Sequence, residues 1–131
     1  MKLSYIDTSS YLRGLLILIR KDKIVHKNEK QLMLEIGEKL GFKSEIYIKT
    51  VDEFLAKKNI DDTPPKFSSM KVSLRFIEEA ISMAFIDNYF HLQEFSWLND
   101  VAKVNKIPKE KVKEKIEKYM KDNANFESIT K

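Results

Sequence analysis

The chain has 131 residues, 43% of them hydrophobic and 34% charged, with three Gly, three Pro and no Cys. That length suits one domain able to bury most of its apolar surface, and the balance is that of a helix-rich globular protein rather than a disordered one. The lack of Cys excludes disulfides, thiolate nucleophiles and Cys-ligated metal centres. The net charge of +4, from 24 basic and 20 acidic side chains, is a small excess on a heavily charged surface.

The first predicted helix is capped by Ser9 or Ser10 and runs to about Lys21. It is apolar nearly all round from Leu15 to Ile19, the pattern of a buried central helix. This run lies between Arg13 and Arg20 and is far shorter than the roughly 20 residues a membrane span needs. Asp7 and Arg13 interrupt any secretory signal, so the expected location is the cytoplasm. A second helix begins near Lys27 and carries Leu32, Met33, Ile36 and Leu40 at three- and four-residue spacing before Gly41, a residue suited to a left-handed stop. A third begins near Ser44, with Tyr47, Val51, Phe54 and Leu55 as its apolar stripe.

Residues 59–68 include Asp61-Asp62-Thr63-Pro64-Pro65, where the paired prolines prevent helix continuation and mark a linker. The fourth predicted helix runs from Ser69 to Ile86 through Phe76, Ile77, Ala80, Ile81, Ala84 and Phe85, and forms the second member of the central pair. The fifth begins near Leu92 and carries Phe95, Leu98, Val101 and Ala102; at this spacing Trp97 reads as a core residue rather than as part of an exposed aromatic patch. The sixth starts at Pro108, whose missing N–H is not needed in a first turn. Val112, Ile116, Tyr119 and Met120 give it one narrow apolar stripe, so it is expected on the outside. Its lysines alternate with Glu110, Glu114 and Glu117, and Glu114 with Lys118 and Glu117 with Lys121 are spaced as ion pairs. The tail, 123–131, has no clear periodicity.

Shifting the sequence by 65 residues lays one half on the other without a gap. Leu12, Leu16 and Leu18 fall on Ile77, Ile81 and Met83; Tyr47, Val51 and Phe54 fall on Val112, Ile116 and Tyr119. The fold class expected is therefore all-α, a compact helical bundle of two tandem three-helix repeats. A single domain covers 1–131, with repeat one at about 9–58, the linker at 59–68 and repeat two at about 69–122.

Both repeats carry a turn of the form Asp-x-x-apolar-His-x-x-Glu, from Asp22 to Glu29 and from Asp87 to Glu94. As a capping arrangement, His26 or His91 occupies the N-cap and the Glu at the third helical position reaches back to the cap amide, near the positive end of the helix dipole. As a ligand set, two turns brought together by a pseudo-twofold axis would offer Asp22, Glu29, Asp87 and Glu94 to a divalent cation, with His26 and His91 as further donors. One turn alone lacks the length and acidic density of a calcium loop.

The segments Asp22-Lys23-Ile24-Val25-His26-Lys27-Asn28-Glu29 and Ile81-Ser82-Met83-Ala84-Phe85-Ile86-Asp87-Asn88-Tyr89-Phe90-His91-Leu92-Gln93-Glu94, with the Leu40-Gly41 ending, resemble the TerB-like (tellurite-resistance) family over about residues 9–122. The resemblance implies an all-helical, internally duplicated cytosolic domain associated with tellurite and other chemical stress, phage resistance and membrane-linked protein complexes in bacteria. It also implies a metal role for the acidic turn positions Asp22, Glu29, Asp87 and Glu94. Lys23 and Asn88 stand where the family has a turn glycine, and this chain is basic where many relatives are acidic.

The leading functional expectation is a non-catalytic interaction module with a protein partner in a stress or defence system. No Ser-His-Asp spacing, phosphate-cradling glycine loop or zinc-protease motif occurs, so no enzymatic activity is expected. A divalent-cation binder is the second reading. The third is contact with nucleic acid or an anionic membrane surface through Lys109, Lys111, Lys113, Lys115 and Lys118.

Overall fold

Ser4 opens the first helix, α1 (Tyr5–Lys21): its carbonyl accepts the Thr8 N–H at 2.9 Å and its hydroxyl the Asp7 N–H at 3.1 Å. The structure, a computed structural model, describes residues 3–21, 27–41, 44–57, 59–85 and 92–122. The helix thus starts a turn before Ser9 and Ser10, the predicted caps. Tyr5 and Ile6 point into solvent, so no apolar periodicity marks that turn. Asp7 is buried and accepts from the Ser68 N–H at 3.0 Å and from the Ser68 hydroxyl, a partner 61 residues away.

Five further helices follow: α2 (Lys27–Lys39), α3 (Ser44–Ala56), α4 (Met70–Ala84), α5 (Leu92–Val104) and α6 (Lys109–Asp122). Among the described residues there are these six helices and no strand. Gly41 ends α2 with a positive φ of 87°, the predicted left-handed stop. Ser69 caps α4, its hydroxyl accepting from the Val72 N–H at 3.2 Å. The tail 123–131 lies outside the described residues.

The fold is compact, with α1 and α4 at its centre. From Tyr11 to Ile19 only Arg13 of α1 escapes full burial, as the apolar run demands. The α1–α4 contact is close because position 14 has no side chain. A Cβ there would lie 2.6 Å from Cζ of Phe76 and 3.0 Å from Cγ of Pro65. Phe76 meets Tyr11 edge-on at 5.3 Å, Phe67 at 5.1 Å and Trp97 at 6.4 Å between ring centroids, a cluster joining α1, the linker, α4 and α5. α2 and α3 pack on α1 and on each other, while α5 and α6 pack on α4 and on each other. The α6 stripe is as expected, with Val112 and Ile116 buried and Tyr119 stacked on Phe85 at 5.1 Å. The ion pairs expected within α6 are replaced: Glu114 meets Lys111 at 3.9 Å, and Lys115 reaches Glu78 of α4 at 2.5 Å.

The end of α5 was not readable from sequence. Lys106 takes a φ of 60°, its N–H bonds the Lys103 carbonyl at 3.2 Å and the Ile107 N–H bonds the Ala102 carbonyl at 2.8 Å. This is a Schellman ending with lysine at the position that favours glycine, and buried Ile107 supplies its hydrophobic contact. Lys106→Gly is therefore expected to stabilise the protein by about 0.5–1 kcal/mol, the relief of left-handed strain exceeding the added freedom of the unfolded chain. Urea unfolding checks it, and an unchanged or lowered midpoint would contradict it.

Tyr11 and Tyr47 are buried phenols. The Tyr47 hydroxyl donates to the Met33 carbonyl at 2.5 Å, and that of Tyr11 reaches the Glu79 carboxylate. Burial pushes both pKa values above the usual 10.0, aided at Tyr11 by Glu79. Both groups ionise near pH 10 only when unfolded, so the stability they contribute is complete below about pH 10 and is lost as pH rises further. The urea midpoint should fall between about pH 9 and about pH 11, and Tyr47→Phe should fall less steeply over that interval. Parallel slopes would contradict this account.

Candidate functional site

The structure places the predicted turn residues only in part. Asp22, His26, Asp87 and His91 lie outside the described residues, as do 86–91 altogether. Glu29 is the third residue of α2 and Glu94 the third of α5. The Glu94 side chain is 2% exposed and is not without a partner. A carboxylate in that first turn meets the positive end of the helix dipole. Among the described residues no group of three or more His, Asp or Glu side chains is placed to share a metal ion.

Among the described residues, a groove of about 800 Å³ lies where the end of α1, the linker and the start of α5 meet. Its apolar surface comes from half-buried Ile60 and Pro64 and exposed Leu92, with buried Ile17 and Trp97 beneath them. Its rim carries both signs of charge, Arg20 and Lys21 from α1 against Asp62 and Asp100. Lys21 and Asp62 pair at 2.5 Å, and Gln93 and Ser96 project from the first turns of α5.

The linker wall is held in place by side chains from both halves. The Trp97 indole N–H donates to the Asp62 carbonyl at 2.9 Å, and Arg13 donates to the Thr63 carbonyl at 3.1 Å. Asp61 accepts the Thr63 N–H at 3.0 Å and its hydroxyl at 2.5 Å, closing a local turn. These bonds from Thr63, hydroxyl first and amide second, hold the Asp61 carboxyl below its usual range. Arg20 braces the adjoining wall through the Phe54 carbonyl at 3.1 Å.

Further along, Asn105 is buried, and its amide makes four hydrogen bonds. Its oxygen accepts from the Phe67 N–H at 2.8 Å and from the Ser73 hydroxyl at 3.2 Å. Its nitrogen donates to the carbonyls of Pro65 at 2.8 Å and Val101 at 2.9 Å. Residues 59–68 are thus a fixed structural element rather than a slack connection.

Trp97 is core in the sense expected from its spacing, 4% exposed, yet one edge of it still faces the groove. The groove was not legible in the sequence. Its residues come from three separate segments, and only the Pro-Pro stop and the amphipathic start of α5 gave a sign of where those segments lie. The groove is open to solvent and sets a modest apolar area beside polar groups held by hydrogen bonds. No helix among the described residues is long and apolar enough to cross a membrane. Compared with known protein families, curated proteins and solved structures, the chain matches none of them.

Proposed function

We propose that the chain is a TerB-like, non-catalytic interaction module acting in the cytoplasm within a bacterial stress-response or defence system. In this reading the two three-helix units, α1–α3 and α4–α6, are tandem copies, and a protein partner docks in the groove between the end of α1, the linker and the start of α5. The observation that carries the reading is the groove: apolar surface from Ile60, Pro64 and Leu92 beside a rim of mixed charge. Such a surface supports binding of a segment with an apolar side chain flanked by polar groups. The process is taken from the resemblance of the two Asp-to-Glu turns to the TerB-like pattern.

A host strain lacking the gene, complemented with wild type or with Ser96→Arg, tests both parts. Ser96 is exposed on α5, so arginine there fills the groove without disturbing the core. Wild type is expected to restore tolerance to tellurite or resistance to phage, and Ser96→Arg, at equal protein level, to fail. Restoration by neither, or equally by both, would overturn the proposal.

A further inference from the structure

Opposite the groove, the other end of the bundle carries a different surface. The Asp7–Ser68 hydrogen bonds tie the first turn of α1 to the start of α4. A cleft of about 250 Å³ then joins the start of α4 to the end of α5, with Met70 and Val104 among its lining residues. The starts of α1 and α4 and the end of α5 are therefore neighbours. Six large hydrophobic side chains are exposed among the described residues, and four of them sit here: Tyr5 (90%), Ile6 (75%), Met70 (46%) and Val104 (40%).

The same end is basic. Lys66 and Lys106 line the cleft, and Lys71 and Lys109 stand in the first turns of α4 and α6. All four are exposed, and none has an ion pair among the described residues. Nearby acids offset little of this charge: Asp7 is buried against Ser68, and Glu110 is a single exposed carboxylate. On α6 itself, by contrast, Lys111 and Lys115 are engaged by Glu114 and Glu78. Uncompensated cations also remain on α6 at Lys113 and Lys118, but at this corner they stand beside exposed apolar side chains.

We infer that this end of the molecule docks on an anionic membrane surface, with Tyr5, Ile6, Met70 and Val104 entering the interface and Lys66 and Lys106 lying over headgroup phosphates. Apolar and cationic side chains interleaved on one surface are what interfacial binding requires, because each contributes a modest share and the two add. A duplex would engage the lysines alone and leave the exposed apolar side chains of Ile6, Met70 and Val104 in water, whereas a lipid interface takes up both. A second copy of the chain would bring like charges together. α1 is about 25 Å long, so docking through its start leaves the groove at its far end facing away from the lipid and open to a partner.

Flotation of the 131-residue chain with phosphatidylglycerol-containing vesicles and with pure phosphatidylcholine vesicles, beside a mobility shift with short duplex DNA, tests this directly. Binding is expected to the phosphatidylglycerol vesicles alone, weakening with added salt. Lys66→Glu/Lys106→Glu should reduce it by about 30-fold or more. Ile6→Ser/Met70→Ser should also reduce it, with the far-UV circular dichroism of both variants unchanged. Any of four results would overturn the inference: no binding to anionic vesicles, equal binding to neutral ones, undiminished binding by Lys66→Glu/Lys106→Glu, or binding to DNA without binding to vesicles. A dimer that dissociates with Ile6→Ser would assign the patch to self-association instead.

Discussion

Asn105→Ala is expected to lower the unfolding free energy by about 3–4 kcal/mol, although it removes only a small polar group. The loss arises from what is left behind. The Phe67 N–H and the Pro65 carbonyl are buried by the same packing that buries Asn105, and without the amide neither keeps a bond seen in the native fold. Each orphaned group carries a desolvation penalty of about 1–3 kcal/mol. Asn105→Asp separates this account from a simple packing role. It keeps the volume and the acceptor for Phe67 but points a carboxylate oxygen at the Pro65 and Val101 carbonyls. That environment raises the carboxyl pKa in the folded state, so the folded protein favours the protonated form. Its destabilisation should be smaller near pH 4 and grow as pH rises through the raised pKa. Urea unfolding at two pH values measures both effects, and a loss under about 1 kcal/mol for Asn105→Ala would show that the four bonds are not what pins the linker.

Phe76→Ala is expected to cost about 3–5 kcal/mol, because Phe76 is fully buried where α1, the linker, α4 and α5 meet. Its contact with Gly14 makes a sharper statement than the size of the loss. Gly14→Ala alone places a methyl 2.6 Å from the ring, and overpacking by about 1–3 kcal/mol outweighs the helix propensity gained. In the Phe76→Ala background the ring is gone and only the 3.0 Å approach to Pro65 Cγ remains, so the same change should cost far less. The double-mutant cycle therefore predicts strong non-additivity. Additive effects would mean that α1 and α4 do not approach through this pair.

The helices were legible because each carries apolar residues at three- and four-residue spacing and most have a local start or stop: Ser69 before α4, Gly41 after α2, Pro64 and Pro65 between the halves. Trp97 was readable as core on the same grounds. What escaped has no local signature. The α1 start lay beyond the pattern because Tyr5 and Ile6 are exposed and Asp7 finds its partner on Ser68. The role of Asn105 depends on groups 32 to 40 residues away, and a left-handed lysine at 106 carries none of the glycine signal that betrayed Gly41.

For the candidate site the division is similar. Glu29 and Glu94 stand at the third position of their helices, where the capping pattern put them, because that position follows from the helix start alone. The groove is a product of tertiary assembly: Ile17, Ile60 and Trp97 become neighbours only once α1, the linker and α5 have packed. A contact through the α6 lysines is the third reading of the sequence; in the fold Lys111 and Lys115 are engaged by Glu114 and Glu78, while Lys109, Lys113 and Lys118 stay exposed. Periodicity within one helix says nothing about which acids a second helix will bring to it.

The groove as the docking site of a protein partner is tested most directly by site-specific photocrosslinking in the native host. A benzophenone side chain at Ser96, on the groove, is compared with one at Lys49, on the exposed face of α3. The prediction is a discrete adduct with one partner from position 96 and none from position 49. An adduct from both positions alike, or from neither, would contradict the groove as the site of recognition.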